Sequence, residues 1–319
     1  METEKKDFYQ LERKILGLKD QIDILSSGED PKREIEITAL RKKIEAEWEN
    51  IVPVLSPHQY VQIARHPRRP FTLDYIDHLL KGFTEFHGDR RAGDDAAIVA
   101  GFGFYKKRTI AVIGHQKGKT TFDRIKRNFG QPNPEGYRKA LRIMKLAEKF
   151  GFPIVTLIDT QGAYPGIQAE ERGQAEAIAY NLKEISKLKV PVINVVIGEG
   201  GSGGALAIGV GDAILMLQYS FYSVISPEGC AAILWKDQTA VTKASDNLKF
   251  LAKDLLELGI IDSIIPEPPG GAHIDYQATF KNVDNYLSRT LKKFEQMQVN
   301  DRLEKRYQKF RKMGVFDLK

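Results

Sequence analysis

Cysteine is almost absent from the 319-residue sequence, which contains only Cys230. A single cysteine excludes an intrachain disulfide framework and a zinc site built on cysteines. The chain also lacks any run of 18 apolar residues, so nothing in it predicts a membrane span. Its first residues, METEKKDFYQ, are charged and do not resemble a secretory signal. These absences predict a cytoplasmic protein that is not attached to a membrane.

The composition, 42% hydrophobic and 28% charged, is typical of a globular protein with one large domain or a domain plus an appendage. The formal net charge of +6 is unevenly distributed. Basic residues cluster in RHPRR, residues 65–69, and in KGKTTFDRIKR, residues 117–127. Such clusters suit phosphates, a CoA tail, nucleic acid or an acidic protein. A solvated surface is the alternative.

The N-terminal part has helical periodicity. Five apolar residues are spaced alternately four and three apart: Leu11, Ile15, Leu18, Ile22 and Leu25. SSGEDP, residues 26–31, interrupts this helix, and a second amphipathic helix follows up to Ile51. The apolar seam of this hairpin needs a partner, either the body of the protein or another subunit. A third helix is predicted over residues 70–83, with Thr72 as its N-cap.

From residue 86 onward, strand-like and helix-like segments alternate. AAIVAGFGFY and TIAVIGHQ predict a hairpin turning at KKR. Helices are predicted over residues 134–150, over about 169–188, and through the charged tail from Tyr276 onward. Between them, FPIVTLIDT, VPVINVVIG, AILMLQY and FYSVIS predict buried parallel strands of an α/β fold. We therefore divide the chain into a helical extension, residues 1–85, and a main domain, residues 86–319, whose patterning alone favours a doubly wound sheet.

The stretch GEGGSGGALAIG, residues 198–209, matches two functional motifs. Its glycines fit the dinucleotide motif G-x-G-x-x-G, but the next strand does not end in the acidic residue that this motif requires. Ser202 is the centre of G-x-S-x-G, the nucleophile motif of serine hydrolases, which needs an acid and a histidine later in the chain. His273 is the only histidine after Ser202. The dinucleotide interpretation is weak, and the serine hydrolase remains an alternative.

A third interpretation uses the backbone of this stretch. Where a strand leads into a helix, unpaired N–H groups can hold an oxyanion without any side chain. Each such donor typically contributes about 3–4 kcal/mol to the stability of a charged transition state. DTQGAYPG, residues 159–166, follows another predicted strand and is also rich in glycine. Because parallel strands end at one edge of a sheet, we expect the two loops to converge on one crevice.

Long motifs of this sequence resemble those of one enzyme family. They are GHQKG, RNFG, PEGYRKALR, DTQGAYPG, AEERGQAEAIA, GEGGSGGALAIG, YSVISPEGCAAILWK and IDSIIPEPPGGAH. From about Ile37 to Gly271 the chain resembles, almost without gaps, the carboxyltransferase α subunits of bacterial-type acetyl-CoA carboxylases. The resemblance implies an α/β crotonase-type fold of ββα units with an N-terminal helical extension. It also implies transfer of a carboxyl group from carboxybiotin on a carrier protein to acetyl-CoA, which gives malonyl-CoA for fatty acid synthesis.

The resemblance further implies particular residues and partners. Gly204 and Ala205 would supply the backbone N–H groups of an oxyanion hole. A biotin pocket would be lined by Gly162, Ala163, Tyr164, Gly166 and Gly203. The implied partners are a β subunit in an α2β2 assembly, the biotin carboxyl carrier protein and biotin carboxylase. Zinc is expected only on the β subunit, and neither a metal nor a covalently bound cofactor is expected on this chain.

Two segments around these loops need separate interpretation. GHQKGKT has three residues between its glycines, where a phosphate-binding P-loop needs four. Its basic surroundings still predict contacts with CoA phosphates or the carrier protein through four residues: Lys117, Lys119, Arg124 and Lys126.

The related α subunits commonly have proline where this chain has Gln161. Glutamine adds a backbone N–H and an amide there, and we expect the change to be tolerated.

Overall fold

The computed structural model of the chain describes residues 7–26, 32–237 and 239–314. Residues 27–31, which form most of the predicted break between the first two helices, lie outside these ranges, as do residues 1–6 of the charged start. Within the described ranges, no helix combines the length and the apolar character needed to cross a membrane.

The N-terminal extension packs on the body of its own chain. Its helices are α1 (Phe8–Ser26), α2 (Lys32–Ile51) and α3 (Pro57–Ala64), with a short 3-10 turn at Val52–Val54 between the last two. Phe8 and Ile15 of α1 and Trp48 of α2 belong to one buried cluster that also contains Tyr219 from the main domain. The body of the protein therefore covers the seam around Ile15 and Trp48, whereas Leu18, Ile22 and Leu25 are half-buried.

A buried polar cluster anchors α1 to this body. The carboxylate of Glu12 contacts Nε2 of His273 at 2.8 Å and Nε2 of His66 at 3.2 Å. Although burial opposes ionisation, the hydrogen bonds from His273 and His66 lower the pKa of Glu12 to about 2. The two imidazole rings are stacked, 3.7 Å apart and 18° from parallel. Near-parallel rings do not point their nitrogens at one tetrahedral centre, so the geometry fits a carboxylate between two N–H donors better than a metal site.

One mixed sheet forms the centre of the main domain. Its strands are β1 (Lys81–Glu85), β2 (Ile98–Tyr105), β3 (Arg108–His115), β4 (Ile154–Thr160), β5 (Val192–Gly201), β6 (Ala213–Leu217), β7 (Phe221–Ser223) and β8 (Ser263–Ile265). The order is β1-β2-β3-β4-β5-β6-β8, and β7 pairs with β5. The predicted hairpin is confirmed as the antiparallel pair β2–β3, and β3, β4, β5, β6 and β8 run parallel.

Helices cover both faces of the sheet because its central strands are apolar on both sides. The remaining helices are α4 (Thr72–Leu79), α5 (Thr121–Lys126), α6 (Pro134–Phe150), α7 (Ile167–Glu171), α8 (Gln174–Ile185), α9 (Ser202–Leu206), α10 (Pro227–Trp235), α11 (Val241–Asn247), α12 (Ala252–Glu257), α13 (Tyr276–Glu295) and α14 (Val299–Arg311). In β4, Ile154 and Ile158 face the core under α6, whereas Val155 and Leu157 face the core under α4 and α13. This alternation follows the two-residue period of a strand.

Three predicted details of this part of the chain are wrong. The helix predicted over residues 70–83 ends at Leu79, and β1 follows it directly. Thr72 is not the N-cap: Phe71 holds that position, and the Thr72 hydroxyl donates instead to the carbonyl of His115 at 2.6 Å. The helix predicted over about 169–188 is divided into α7 and α8 at Gly173, whose φ is +83°.

The division of the chain at residues 85 and 86 stays a prediction. β1 lies before that division, yet it pairs with β2 of the main domain. The α/β alternation and the parallel strands follow the sequence patterning closely.

Candidate active site at the carboxyl ends of the parallel strands

The two glycine-rich loops touch each other through their backbones. The 159–166 loop begins at the end of β4, and the 198–209 loop begins at the end of the neighbouring strand β5. A Cβ atom on Gly204 would lie 2.4 Å from the backbone nitrogen of Ala163, and one on Gly201 would lie 2.0 Å from the carbonyl oxygen of Gln161. No side chain fits at either glycine, so the expected convergence of the two loops is confirmed.

A bulge shapes the edge where the loops begin. Ile158 pairs with Val196, but Thr160 pairs with Gly200, so Asp159 faces a longer stretch of β5. The displaced N–H of Glu199 donates to Oδ1 of Asp159 at 3.0 Å instead of to a ladder carbonyl. The carboxylate of Asp159 therefore satisfies the backbone group that the bulge leaves unpaired.

The short helix α9 carries the predicted oxyanion donors. It spans five residues and has Gly201 as its N-cap, with no side chain capping it. The carbonyl of Gly201 is the first helical acceptor, and the matching donor is the N–H of Ala205. The N–H of Gly204 precedes that bond and has no helical partner. Because so short a helix has only a small dipole, the individual N–H groups dominate its electrostatics.

The predicted biotin-pocket residues lie on both loops. Gly162 and Ala163 contact Gly204, and Tyr164 is held in place by its N–H, which donates to the carbonyl of Pro132 at 3.0 Å. Gly166 lies against the Tyr164 ring, where a Cβ would be 2.4 Å from a ring carbon. Gly203 instead lines an apolar cavity of about 440 Å³, together with Ser202, Leu206, Tyr222 and Val224. The structure thus brings the first four residues together and places Gly203 at a neighbouring cavity.

Ser202 has part of the geometry of a hydrolase nucleophile. It is exposed at a strand-to-helix turn, and its φ is +51°. The histidine that the hydrolase interpretation needs is elsewhere, because His273 is bound to Glu12 under α1. Across the described ranges, no histidine forms a hydrogen bond with Ser202, and His115 is fully buried. Among the residues that the structure describes, the serine hydrolase alternative therefore lacks the histidine that its nucleophile needs.

A row of alternating charges lies where the two loops begin, and we call it the charged row: Asp159, Lys117, Glu199, Arg65 and Glu228. Nζ of Lys117 lies 2.8 Å from Asp159 and 2.6 Å from Glu199. The guanidinium of Arg65 lies 2.7 Å from Glu199 and 2.7 Å from Glu228. Burial opposes the charge on Glu199, but Lys117 and Arg65 lower the pKa of its carboxyl. Five segments of the chain meet in this row.

The charged row gives one predicted residue two partners of its own chain. The expected contact of Lys117 with CoA phosphates or the carrier protein stays a prediction, and two buried carboxylates bind its ammonium group. Despite burial, Asp159 and Glu199 raise the pKa of Lys117, so it stays charged. Sequence reasoning assigned no role to Asp159 and Glu199. Their positions, each at the start of a glycine-rich loop after a buried strand, were the available signal.

The other predicted basic residues lie on or beside α5. Lys119 is exposed and pairs with Asp74, and Lys126 is exposed. Arg124 lines a cavity of about 340 Å³ that reaches Gln161 of the 159–166 loop. Phe122, next to these residues, is 80% exposed. Residues 119–126 therefore border the candidate site, and Arg124 shares the cavity beside Gln161 with Lys117.

His115 lies directly below the loops in a fully buried position. Its Nδ1 accepts a hydrogen bond from the N–H of Asp159 at 3.4 Å. Burial, reinforced by the charge of Lys117, lowers the pKa of His115 to about 3. The imidazole is therefore neutral at neutral pH and supports the backbone of Asp159.

Curated relatives of the chain are named acetyl-coenzyme A carboxylase carboxyl transferase subunit alpha. The one from Geobacter metallireducens is 54% identical over 311 residues, which cover 98% of this chain and 96% of the relative. The one from Geobacter sulfurreducens is 58% identical over 275 residues, 86% of each chain. The one from Aquifex aeolicus is 49% identical over 312 residues, 97% of each chain.

Solved structures share the fold at much lower identity. A transcarboxylase 12S with bound methylmalonyl-coenzyme A has a TM-score of 0.58 and 19% identity, covering 70% of this chain and 41% of that one. The β subunit of a Pseudomonas aeruginosa geranyl-CoA carboxylase has a TM-score of 0.55 and 15% identity, covering 83% of this chain and 48% of that one. A Pseudomonas malonate decarboxylase hetero-tetramer in complex with coenzyme A has a TM-score of 0.58 and 14% identity, covering 75% of this chain and 92% of that one.

The chain thus spans less than half of the first two of these proteins. The likeness identifies the crotonase-type fold that the sequence motifs implied, in place of the doubly wound sheet that patterning alone favoured. The match to the family described as acetyl co-enzyme A carboxylase carboxyltransferase-like extends over residues 5–314. The chain belongs to this acetyl co-enzyme A carboxylase carboxyltransferase-like family.

Proposed function

We propose that this chain is the α subunit of an acetyl-CoA carboxylase carboxyltransferase. It would move the carboxyl group of carboxybiotin to acetyl-CoA and give malonyl-CoA. The observation that carries the proposal is the backbone contact between Gly204 and Ala163, which joins two glycine-rich loops at the edge of the parallel strands. A site built from backbone N–H groups suits a reaction whose charge develops on carbonyl-type oxygens.

The reaction needs stabilisation of two oxyanions and the transfer of one proton. The C–N bond of carboxybiotin breaks, and negative charge develops on the ureido oxygen. Acetyl-CoA loses a methyl proton to the freed biotin nitrogen, and the resulting enolate carbon forms a bond to the carboxyl carbon. We infer that the N–H of Gly204 donates to the ureido oxygen. Ala205 would assist as a weaker donor, because its N–H already serves the first turn of α9.

The biotin ring would lie between the two loops. Gly162, Ala163, Tyr164 and Gly166 would form one wall, and Gly203 would form the opposite wall beside the 440 Å³ cavity. Tyr164 is 38% exposed, so its ring is available to a ligand. No side-chain nucleophile takes part in this scheme.

The basic residues around α5 would attract an anionic substrate or partner. Lys117, Lys119, Arg124 and Lys126 would bind CoA phosphates or an acidic carrier protein. Lys117 is left out of the variant below because it also forms ion pairs with Asp159 and Glu199. At low salt, the triple variant Lys119→Ala/Arg124→Ala/Lys126→Ala should raise the KM either for the acyl-CoA substrate or for the biotinylated carrier protein. Unchanged KM values for both would eliminate this role.

The proposal requires partners for activity. A β subunit would complete the site and hold acetyl-CoA in an α2β2 assembly, and it would carry the zinc that the family implies. A biotin carboxyl carrier protein would deliver the carboxyl group after biotin carboxylase has loaded it.

Reconstitution tests the proposed function. The purified chain is mixed with its cognate β subunit, and carboxyl transfer from malonyl-CoA to free biocytin is measured. We expect transfer in the mixture and none with either subunit alone. A serine-reactive probe added in parallel should not label Ser202, whereas labelling with loss of activity would support the hydrolase instead.

A further inference from the structure

We propose that Lys117 is a positioning residue whose ammonium group ties the 159–166 loop to the 198–209 loop. The inference rests on the proposed function, because it assigns to Lys117 the task of holding the carboxyl-transfer site in shape. Lys117 itself need not touch a substrate.

The position of Lys117 between the loops supports this role. Asp159 is the first residue of one loop and Glu199 is the second residue of the other. Nζ of Lys117, which comes from a third segment just after β3, lies 2.8 Å from Asp159 and 2.6 Å from Glu199. One cation therefore connects the roots of both loops.

The space around this contact depends on glycine on both sides. A Cβ on Gly130 would lie 2.6 Å from Cγ of Lys117, and a Cβ on Gly198 would lie 2.4 Å from Oδ1 of Asp159. Real Cβ atoms do not approach other atoms so closely. The backbone is thus arranged to admit the Lys117–Asp159 pair.

Electrostatics explains why a cation is needed at this point. Without Lys117, the carboxylates of Asp159 and Glu199 would be two neighbouring buried anions, and the nearby Arg65 already binds Glu199 and Glu228. Removing one partner of a buried ion pair leaves an uncompensated charge, which is strongly unfavourable.

Repulsion between the carboxylates of Asp159 and Glu199 would also displace the backbone of the two loops. The N–H of Glu199 donates to the carboxylate of Asp159, so their separation would break the hydrogen bond that holds the bulge. Gly201 and Gly204 come later in the same loop as Glu199, and both contact the 159–166 loop. The contact between Gly204 and Ala163 would therefore loosen, and the proposed donor N–H would shift.

Three variants separate positioning from simple stabilisation. Lys117→Met removes the cation. Lys117→Met/Asp159→Asn removes one positive and one negative charge together. This variant therefore loses the ion pairs of Lys117 with the two loops but gains no unpaired charge. Lys117→Arg keeps a cation that can contact both loops. Arg306→Met is the control, because Arg306 forms a buried ion pair with Asp212 before β6, at the opposite edge of the sheet.

The variants are measured in the reconstituted complex by hydrogen exchange and by kinetics. In Lys117→Met and in the double variant, the rate of amide hydrogen exchange in residues 159–166 and 198–209 should rise at least about tenfold. The exchange rate in α13 should not change. The kcat of both variants should fall at least about tenfold, with the KM for malonyl-CoA within about threefold of wild type. Lys117→Arg should restore much of kcat. Arg306→Met should lower the Tm without loosening the two loops.

The outcomes distinguish the inference from the proposed function. Unchanged exchange in both loops of the folded double variant would overturn the positioning role of Lys117. Loosened loops with an unchanged kcat would also overturn it. Absence of carboxyl transfer by the wild-type complex would instead overturn the proposed function, since the exchange data for the loops would still stand.

Discussion

Gly204 and Ala163 are in direct backbone contact, and a Cβ on Gly204 would lie 2.4 Å from the backbone nitrogen of Ala163. Gly204 is therefore required by the approach of the two loops, in addition to any part it plays in binding an oxyanion. The contact makes the geometry of the proposed site sensitive to a single methyl group.

Gly204→Ala should separate the loops and abolish most carboxyl transfer. We expect kcat of the reconstituted complex to fall by about 100-fold or more, as when a positioned oxyanion donor is lost. Gly203→Ala is the steric control for folding, because its nearest neighbours are 3.7 Å from the added Cβ. Gly203→Ala should keep the Tm of wild type. A Gly204→Ala complex with wild-type kcat would contradict the account.

Ser202→Ala should retain carboxyl transfer to within severalfold of wild type. The structure gives the Ser202 hydroxyl no histidine partner within the residues that it describes, so removing this hydroxyl removes no nucleophile. The φ of +51° at this position is a mild backbone strain, which Ser202→Gly should relieve and so raise the Tm slightly. Loss of all transfer in both variants would indicate a chemical role for the hydroxyl.

Gln161→Pro should also leave the transfer rate within severalfold of wild type. Thr160 precedes it at the end of β4, and an extended residue is compatible with a following proline. The Gln161 side chain makes only a 3.4 Å contact with Gln131, so little binding is lost. Kinetics of the reconstituted variant test this expectation, and complete loss would show that the loop needs its Gln161 N–H.

Acid should destabilise the fold through His273. Burial lowers the pKa of His273 from 6.5 to about 4, and the bond to Glu12 only partly opposes this shift. Between these values the unfolded chain binds a proton that the folded chain does not, so stability decreases as pH falls from about 6.5 towards 4.

His273→Gln keeps a donor for Glu12 but does not titrate. From pH 7 to pH 5, wild type should therefore lose about 2 kcal/mol more unfolding free energy than this variant. Urea unfolding at both pH values measures the difference. Equal losses in the two proteins would mean that His273 is already protonated in the folded state at pH 5.

Local patterns in the sequence predicted most of the secondary structure. The central strands are apolar on both faces, and the proline and glutamate at the start of α6 mark its beginning. Patterning did not reveal β1, because Lys81–Glu85 alternates weakly and has only one strand beside it. The type of α/β fold could be predicted only with the family motifs, because buried parallel strands have similar sequences in several α/β folds.

The sequence predicted the converging backbone loops of the candidate site, but it did not predict the ion pairs beside them. Two glycine-rich segments after buried strands indicated converging loops, because parallel strands end at one edge. The partners of Lys117 could not be read from the sequence, since Asp159 and Glu199 lie 42 and 82 positions away along the chain. A basic cluster therefore suggested an exposed patch, whereas folding places its first lysine between two buried acids.

The most direct test of the account is a titration of the chain with its cognate β subunit, with carboxyl transfer from malonyl-CoA to biocytin as the readout. We expect no transfer by either subunit alone and a rate that rises with added β subunit until the two are equimolar. Light scattering on the same samples checks that the complex has formed. Transfer by the isolated chain, or no transfer by a fully formed complex, would contradict the account.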